Sequence, residues 1–388
     1  GYGNPHDQHA EECQVGGRPP IHGRVAGILA RAAHQVPPGE ADQGGPLQGH
    51  DAGGDQQRAW SAAVVGRHPN RLRPADTLTG MRALVVVNHQ ATTMSQWVRD
   101  VLLAALRHDL KVEVAETNHR GHAVELGRRA RSDGIELVIA AGGDGTVNEV
   151  VNGLLDDEAG PTVPDLAIVP AGSTNVFARN VGLPEDPVEA TGLVLDAVRA
   201  GRRKPIGLGR LDERWFTFCA GIGYDADVIR AVEELRARGK RSTLPLYTRT
   251  AVRRFFAQPH RRHGQIVLER PGAEPIPGIS MAAVTNCAPW TYLGGRPLNP
   301  TPGASFDAGL DVFALQGLRV FSALRHLAEI TLSTNRGPRG GDVFVLHDVA
   351  GFVLSAPAPV PVQVDGDYLG DRQRMTLLSR PAALHIVA

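Results

Sequence analysis

Three short segments hold residue types suited to binding an anion and moving a proton. The first is Ala-Ala-Gly-Gly-Asp-Gly-Thr-Val-Asn-Glu at 140–149, between an apolar run at 135–140 and a helical period at about 146–155. Glycines in such a turn let backbone N–H groups approach phosphate oxygens, and the helix N-terminus favours the negative charge. Asp144 lies inside the turn and is expected among the phosphates, where a carboxylate needs a metal or a hydroxyl to hold. The plain alternative is a tight strand-to-helix turn with Asp144 as an N-cap. The second segment, Val-Pro-Ala-Gly-Ser-Thr-Asn at 169–175, repeats the device one strand later, with Ser173, Thr174 and Asn175 as donors at a helix start. Two such turns on adjacent strands would form one cradle for phosphates and a nucleoside. In the third, Val-Asp-Gly-Asp-Tyr at 364–368, Asp365 and Asp367 flank a glycine at a strand end. That suits a proton acceptor; taken alone it also suits a hairpin turn.

The elements that must position these segments fall into two parts. From residue 81 to 205 strands and helices alternate: strand 83–87 and helix 95–107, strand 111–116 and helix 123–132, then the two glycine turns with their strands and helices. This pattern predicts an α/β domain with a parallel sheet, with ligands at the carboxyl ends of its strands. From 206 to 388 short strand candidates dominate, at 215–220, 265–269, 280–285, 310–315, 343–346, 352–355, 362–364 and 375–378. They predict a mostly antiparallel β-sandwich domain, interrupted by one helical stretch at about 227–257.

Residues 1–80 have a different composition. They hold 14 Gly and 8 Pro, no Lys and no Phe, and too few large aliphatic residues for a core. A disordered or non-native extension is expected there, with Met81 as the natural start. Lys+Arg and Asp+Glu both number 41 in the 388 residues, so no general basic surface for nucleic acid is expected. Cys13, Cys219 and Cys287 have neither zinc-ligand nor CxxC spacing, which suits lone thiols in a reducing cytoplasm. No apolar run reaches the roughly 18 residues of a membrane span.

The run GGDGTVNEVVNGL followed by PAGSTNVFARNVGLP resembles the catalytic domain of diacylglycerol kinases and their sphingosine and ceramide kinase relatives, the soluble bacterial enzymes above all. The resemblance covers about 81–388 and none of 1–80. It implies a nucleotide-binding α/β domain of NAD-kinase-like form, a β-rich lipid-facing domain, ATP and Mg²⁺ as cofactors, and diacylglycerol as acceptor. Position by position it places Asn88, Thr117, Gly142, Gly143, Asp144, Gly145, Thr146, Val147, Asn148, Ser173 and Asn175 at the nucleotide. Asp367 fills the place of the family's proton acceptor, with Asp365 beside it and Asp144 positioning metal, phosphates or hydroxyl. Asp307, with the carbonyls of Ala304 and Gly309, takes the place of a structural Mg²⁺ site, and Asp311 is the reserve ligand. Relatives form dimers, so a homodimer is among the expected partners.

The chain departs from the family in two places. The loop after Asn88 lacks the usual Pro and Gly, and Val176 stands where Asp is common. Ten basic residues against Glu233 and Glu234 between 228 and 265, interleaved with apolar ones, are expected to meet an anionic membrane surface. The resulting expectation is a cytoplasmic lipid kinase docked on the inner membrane face. Its rivals are an NAD kinase, a kinase of sphingoid lipids, and an inactive nucleotide- or lipid-binding relative.

Overall fold

The computed structural model describes residues 80–88, 95–156, 163–240, 243–257, 263–293, 295–332 and 336–388. The expected extension at 1–79 and the departing loop at 89–94 lie outside the described residues. The first half runs β1 (Arg82–Asn88), α1 (Gln96–Asp109), β2 (Lys111–Thr117), α2 (His122–Ser132), β3 (Leu137–Gly142), α3 (Asp144–Leu154), β4 (Asp165–Pro170), α4 (Val176–Asn180) and α5 (Pro187–Arg199). β4, β3, β1 and β2 pair in that order, all parallel. Helices cover such a sheet, so its inner strands read as nearly unbroken apolar runs: RALVVVN in β1 is buried at all but its ends. Asp186 caps α5 by accepting from the N–H groups of Val188 and Glu189 at 2.8 and 3.0 Å, with Pro187 in the first turn.

The second half is β5 (Lys204–Leu211), β6 (Arg214–Phe216), β7 (Cys219–Gly223), α6 (Tyr224–Ala237), α7 (Leu244–Ala257), β8 (Ile266–Glu269), β9 (Ile276–Ile279), β10 (Met281–Thr285), β11 (Thr291–Leu293), β12 (Arg296–Leu298), β13 (Leu310–Leu315), α8 (Val320–Leu332), β14 (Val343–Val349), β15 (Gly351–Val364) and β16 (Asp367–Ile386). Its pairings are antiparallel except one. The end of β16 lies parallel to β4, Ile386 opposite Leu166. This long strand pairs with β15, β5 and β4, so the two halves share one sheet. An α/β half is thus followed by a mostly antiparallel, β-rich half.

Several elements differ from the sequence reading: the candidate strand 215–220 is two strands, β6 and β7, and α5, β5, β9, β11 and β12 were not assigned from sequence. The helical stretch at 227–257 is two helices, α6 and α7. Gly239 takes a left-handed φ of 81°, its N–H meets the Arg236 carbonyl and Lys240 N–H meets that of Leu235, which ends α6. The strand candidates 352–355 and 362–364 are one strand, β15, with an irregular register between Ser355 and Val360. Prolines at 357, 359 and 361 interrupt its alternation. Helix α8 was not assigned from sequence.

Helices α2 and α3 cross at Gly127 and Gly153. A Cβ on Gly153 would lie 2.2 Å from the Val124 carbonyl oxygen and 2.9 Å from Gly127 Cα. Helix propensity alone would favour alanine there by about 1 kcal/mol. Gly153→Ala is expected instead to destabilise by about 1–3 kcal/mol, since α2 must move off α3. Denaturant unfolding of the two proteins gives the sign; a stabilised variant would refute this packing.

Candidate functional site

A cleft of about 510 Å³ opens at the carboxyl ends of the parallel strands. Its walls include Asn88 from β1, Thr117 and the following Asn118, His119 and Arg120, then Gly145, Thr146 and Glu149 from the start of α3. The opposite wall is Glu233, Arg236 and Ala237 of α6 and Asp367 from the β15–β16 hairpin. The cleft therefore joins the first glycine turn to the DGD hairpin.

The two glycine turns touch. A Cβ on Gly172 would lie 2.7 Å from Gly143 Cα, so the second turn needs glycine at this contact; one on Gly143 would lie 3.2 Å from Gly172 Cα, a tight approach. Gly145 is the opposite case: a Cβ there meets nothing within 4 Å. Packing does not require this glycine, and the space beside it belongs to the cleft. Asn88 Nδ2 donates to Thr146 Oγ1 at 3.0 Å and fixes the α3 start against β1. Glu149 accepts from the N–H groups of Gly121 and Ala123 at 2.9 and 3.2 Å, holding the β2–α2 loop at the rim.

The hairpin is a two-residue turn. Val364 pairs with Asp367, and Asp365 and Gly366 have φ of 48° and 86°, as a primed turn requires. Asp365 points inward. Its carboxylate accepts from Thr217 N–H at 2.7 Å, Thr217 Oγ1 at 2.8 Å, Phe218 and Cys219 N–H each at 3.0 Å, and Asn148 Nδ2 at 2.7 Å. Burial raises its pKa and the backbone donors oppose the rise. Asp367 points the other way, into the cleft, where Arg120 Nη2 lies 3.1 Å from its Oδ1 and 3.6 Å from Glu233 Oε1.

These contacts revise two expected catalytic roles. With five donors on its two oxygens, Asp365 is turned to the backbone of 217–219 and does not line the cleft. Asp144 does not line the cleft. Its carboxylate accepts from Val176 and Phe177 N–H at 2.9 and 3.0 Å and so caps α4. The cause is the second turn: Asn175 has φ 50° and its side chain bonds back to Gly172, leaving α4 without a local cap. Burial raises the Asp144 carboxyl to about 6 against the pull of those two N–H groups.

Of the residues expected at a nucleotide, Asn88, Thr117, Gly145 and Thr146 line the cleft. Gly142, Gly143, Val147 and Asn148 lie behind it. Val147 is in the core, and Asn148 joins Asp365 to the Trp215 carbonyl. Ser173 is exposed in the second turn. Ala304, Asp307 and Gly309 sit in the turn before β13, where Lys204 Nζ lies 3.3 Å from Asp307. Asp311 is buried and pairs with His347 at 2.8 Å. Among the described residues no three His, Cys, Asp or Glu side chains gather at metal-holding distances. Sequence reasoning missed Arg120, Glu149, Glu233 and Arg236. Of these only Glu149 had a signal, being the last residue of the 140–149 segment. It also missed Arg214, half-buried behind the cleft with Nη2 2.5 Å from Asn148 Oδ1.

A second carboxylate braces the hairpin. Gln363 Nε2 donates to Asp225 Oδ2 at 2.8 Å, and Gln363 Oε1 accepts from Gly366 N–H at 2.9 Å. Burial lifts the Asp225 carboxyl from 3.8 to about 6. The folded chain then holds this proton up to about pH 6, whereas the unfolded chain releases it near pH 4. Stability is fully present below pH 4 and is lost as pH rises through 6. Asp225→Asn removes that loss. Part of the residue stays open to solvent, so the full shift of about 3 kcal/mol is discounted. The variant's stability relative to wild type is expected to rise by about 2 kcal/mol between pH 4 and pH 8. Urea titrations across this range check it, and a difference independent of pH would contradict the assignment.

The family model for the diacylglycerol kinase catalytic domain matches residues 82–211. A probable lipid kinase YegS-like protein of Chromohalobacter salexigens is 32% identical over 264 residues, which are 67% of this chain and 78% of that protein. A diacylglycerol kinase of Bacillus subtilis is 41% identical over 108 residues, 28% of this chain and 33% of its own length. The crystal structure of a diacylglycerol kinase from Bacillus anthracis shares the fold. Its TM-score is 0.58 at 21% identity, and the match covers 79% of this chain and 96% of that one. The chain belongs to the diacylglycerol kinase catalytic domain family of lipid kinases, phosphotransferases that act on an alcohol acceptor.

Proposed function

We propose that the protein transfers the γ-phosphoryl group of ATP to the free hydroxyl of diacylglycerol, giving phosphatidic acid. The observation that carries this reading is the single cleft shared by the α3 N-terminus and the Asp367 carboxylate. Gly145 leaves open space at the cleft wall, and the first N–H groups of α3, which would face a phosphate there, have no helical partners of their own. Arg120 and Arg236 bring cationic groups to the same cleft.

Asp367 would accept the proton of the lipid hydroxyl as its oxygen attacks the γ-phosphorus and the bond to the β-phosphate oxygen breaks, leaving ADP. Asp365 and the Gln363–Asp225 pair hold the hairpin so that Asp367 keeps its place. Mg²⁺ would neutralise charge on the phosphates. With Asp367 kept for the hydroxyl proton and Glu149 bound to backbone N–H groups, Glu233 is the cleft carboxylate that would meet it. The carboxylate of Asp307 is met by Lys204, and no step depends on it.

The basic stretch 228–265 is the proposed contact with an anionic membrane, although Arg236 lines the cleft, two more of its arginines are engaged internally, and Arg241, Arg261 and Arg262 lie outside the described residues. Arg230 and Arg254 both pair with the buried Asp227.

The test is a phosphoryl-transfer assay with Mg·ATP and mixed micelles of diacylglycerol, sphingosine or ceramide, with NAD in parallel. Label is expected in phosphatidic acid; label in another product would replace the acceptor, and label in NADP would replace the reading. Asp367→Asn is expected to lower kcat by about 10²–10⁴-fold with KM for ATP little changed. Unreduced turnover in that variant would remove Asp367 from the mechanism.

A further inference from the structure

Helix α8 is amphipathic in the wrong sense for a surface helix. Its outward face is apolar: Phe321, Leu324, Leu327 and Leu332 are 89%, 60%, 55% and 72% exposed, and Val320 joins them. At about 100° per residue these five fall within one broad arc. Its inward face carries polar groups. His326, 2% exposed, lies between Glu329 at 3.0 Å and Asp342 at 3.2 Å, and Ser322 joins the same cluster. The acidic residue of α8 is thus turned inward, leaving leucine and phenylalanine in water. A continuous apolar patch of this kind marks a surface that meets something else.

The neighbouring helix has the same character. Ile330 and Ala323 of α8 pack in one cluster with Phe255 of α7, over Phe313 and Leu315 of β13. On α7, Val252 and Phe256 are 54% and 61% exposed, beside exposed Arg249 and Arg253, and the helix has no acidic residue. Exposed Arg319 precedes the apolar arc of α8, while Arg325 is engaged by Glu329, Asp342 and the Arg339 carbonyl.

We propose that the outer face of α8, with the adjoining face of α7, docks on the surface of an anionic lipid bilayer. The proposal rests on the lipid-kinase reading only for its purpose, which is to bring the cleft to a substrate that does not leave the membrane. Its physical basis is independent: large apolar side chains insert at the headgroup boundary while flanking arginines meet anionic lipid. A second copy of the chain is the poorer occupant, since two such faces would bring like-charged arginine rims together. The sequence had pointed only to the basic stretch 228–265. The apolar element that completes the surface lies about 60 residues beyond it, at 320–332.

The test is cosedimentation of the full chain with vesicles of phosphatidylcholine, with and without phosphatidylglycerol, for wild type and Phe321→Ser/Leu324→Ser. These side chains are exposed, so the variant should keep its Tm. Wild type is expected to bind the anionic vesicles, and the variant to bind about tenfold or more weakly. Turnover of long-chain diacylglycerol in vesicles should fall in parallel, with turnover of dispersed short-chain diacylglycerol unchanged. Equal vesicle binding by both proteins would overturn the proposal. So would a lower oligomeric mass of the variant with vesicle binding untouched, which would make α8 an interface between copies. Wild type that binds vesicles yet phosphorylates no lipid would support docking and sink the lipid-kinase reading alone.

Discussion

The Asp365 carboxylate is the interaction on which the site depends. Its five donors come from α3, from the β6–β7 link and from β7 itself. One buried anion therefore ties the phosphate-facing helix to the antiparallel half and to the hairpin that bears Asp367. A buried carboxylate is costly unless its oxygens are satisfied, and here the backbone of residues 217–219 is folded around it. Removing this anchor would leave three N–H groups and an amide unpaired, a larger loss than the deletion of one contact.

Around that anchor, small residues let backbones meet. Gly143 against Gly172 joins the two turns, and Gly127 against Gly153 joins α2 to α3. Gly145 is free of such contacts, which leaves its space to a ligand. Charge is arranged with similar economy. Of the carboxylates that serve the fold, Asp365 is buried and Asp144 and Asp225 are half-buried, and all three accept hydrogen bonds. Of those that face the cleft, Asp367 and Glu233 share Arg120, and Glu149 accepts from backbone N–H groups. The two aspartates of one DGD turn take opposite parts because Asp365 sits in the turn itself at a left-handed φ of 48°, whereas Asp367 is the first residue of β16, paired with Val364.

Much of this was legible in the residues. The alternation after residue 81 located the parallel strands within a residue or two; of the three motifs, the first glycine turn and Asp367 line the cleft, and the second glycine turn and Asp365 do not. The inward turn of Asp144 and Asp365 was not legible. Spacing shows that a carboxylate is near a site, but only the backbone shows which donors it meets. Arg120, Glu233 and Arg236 reach the cleft from a loop and from a helix far along the chain, and no motif marks them. Strand β15 was split by its prolines. The pairing of β16 with β4 depends on contacts over 200 residues apart, beyond any local period. The apolar face of α8 is periodic in sequence, but periodicity cannot tell an outward face from an inward one.

The account's central claim is that phosphoryl donor and proton acceptor meet in one cleft between the α3 N-terminus and the β15–β16 hairpin. A crystal structure with Mg²⁺ and a non-hydrolysable ATP analogue tests it most directly. The account predicts the analogue's phosphates at Gly145 and Thr146, with Asp367 facing the γ-phosphate across room for one hydroxyl. Phosphates bound outside this cleft, or turned away from Asp367, would contradict it.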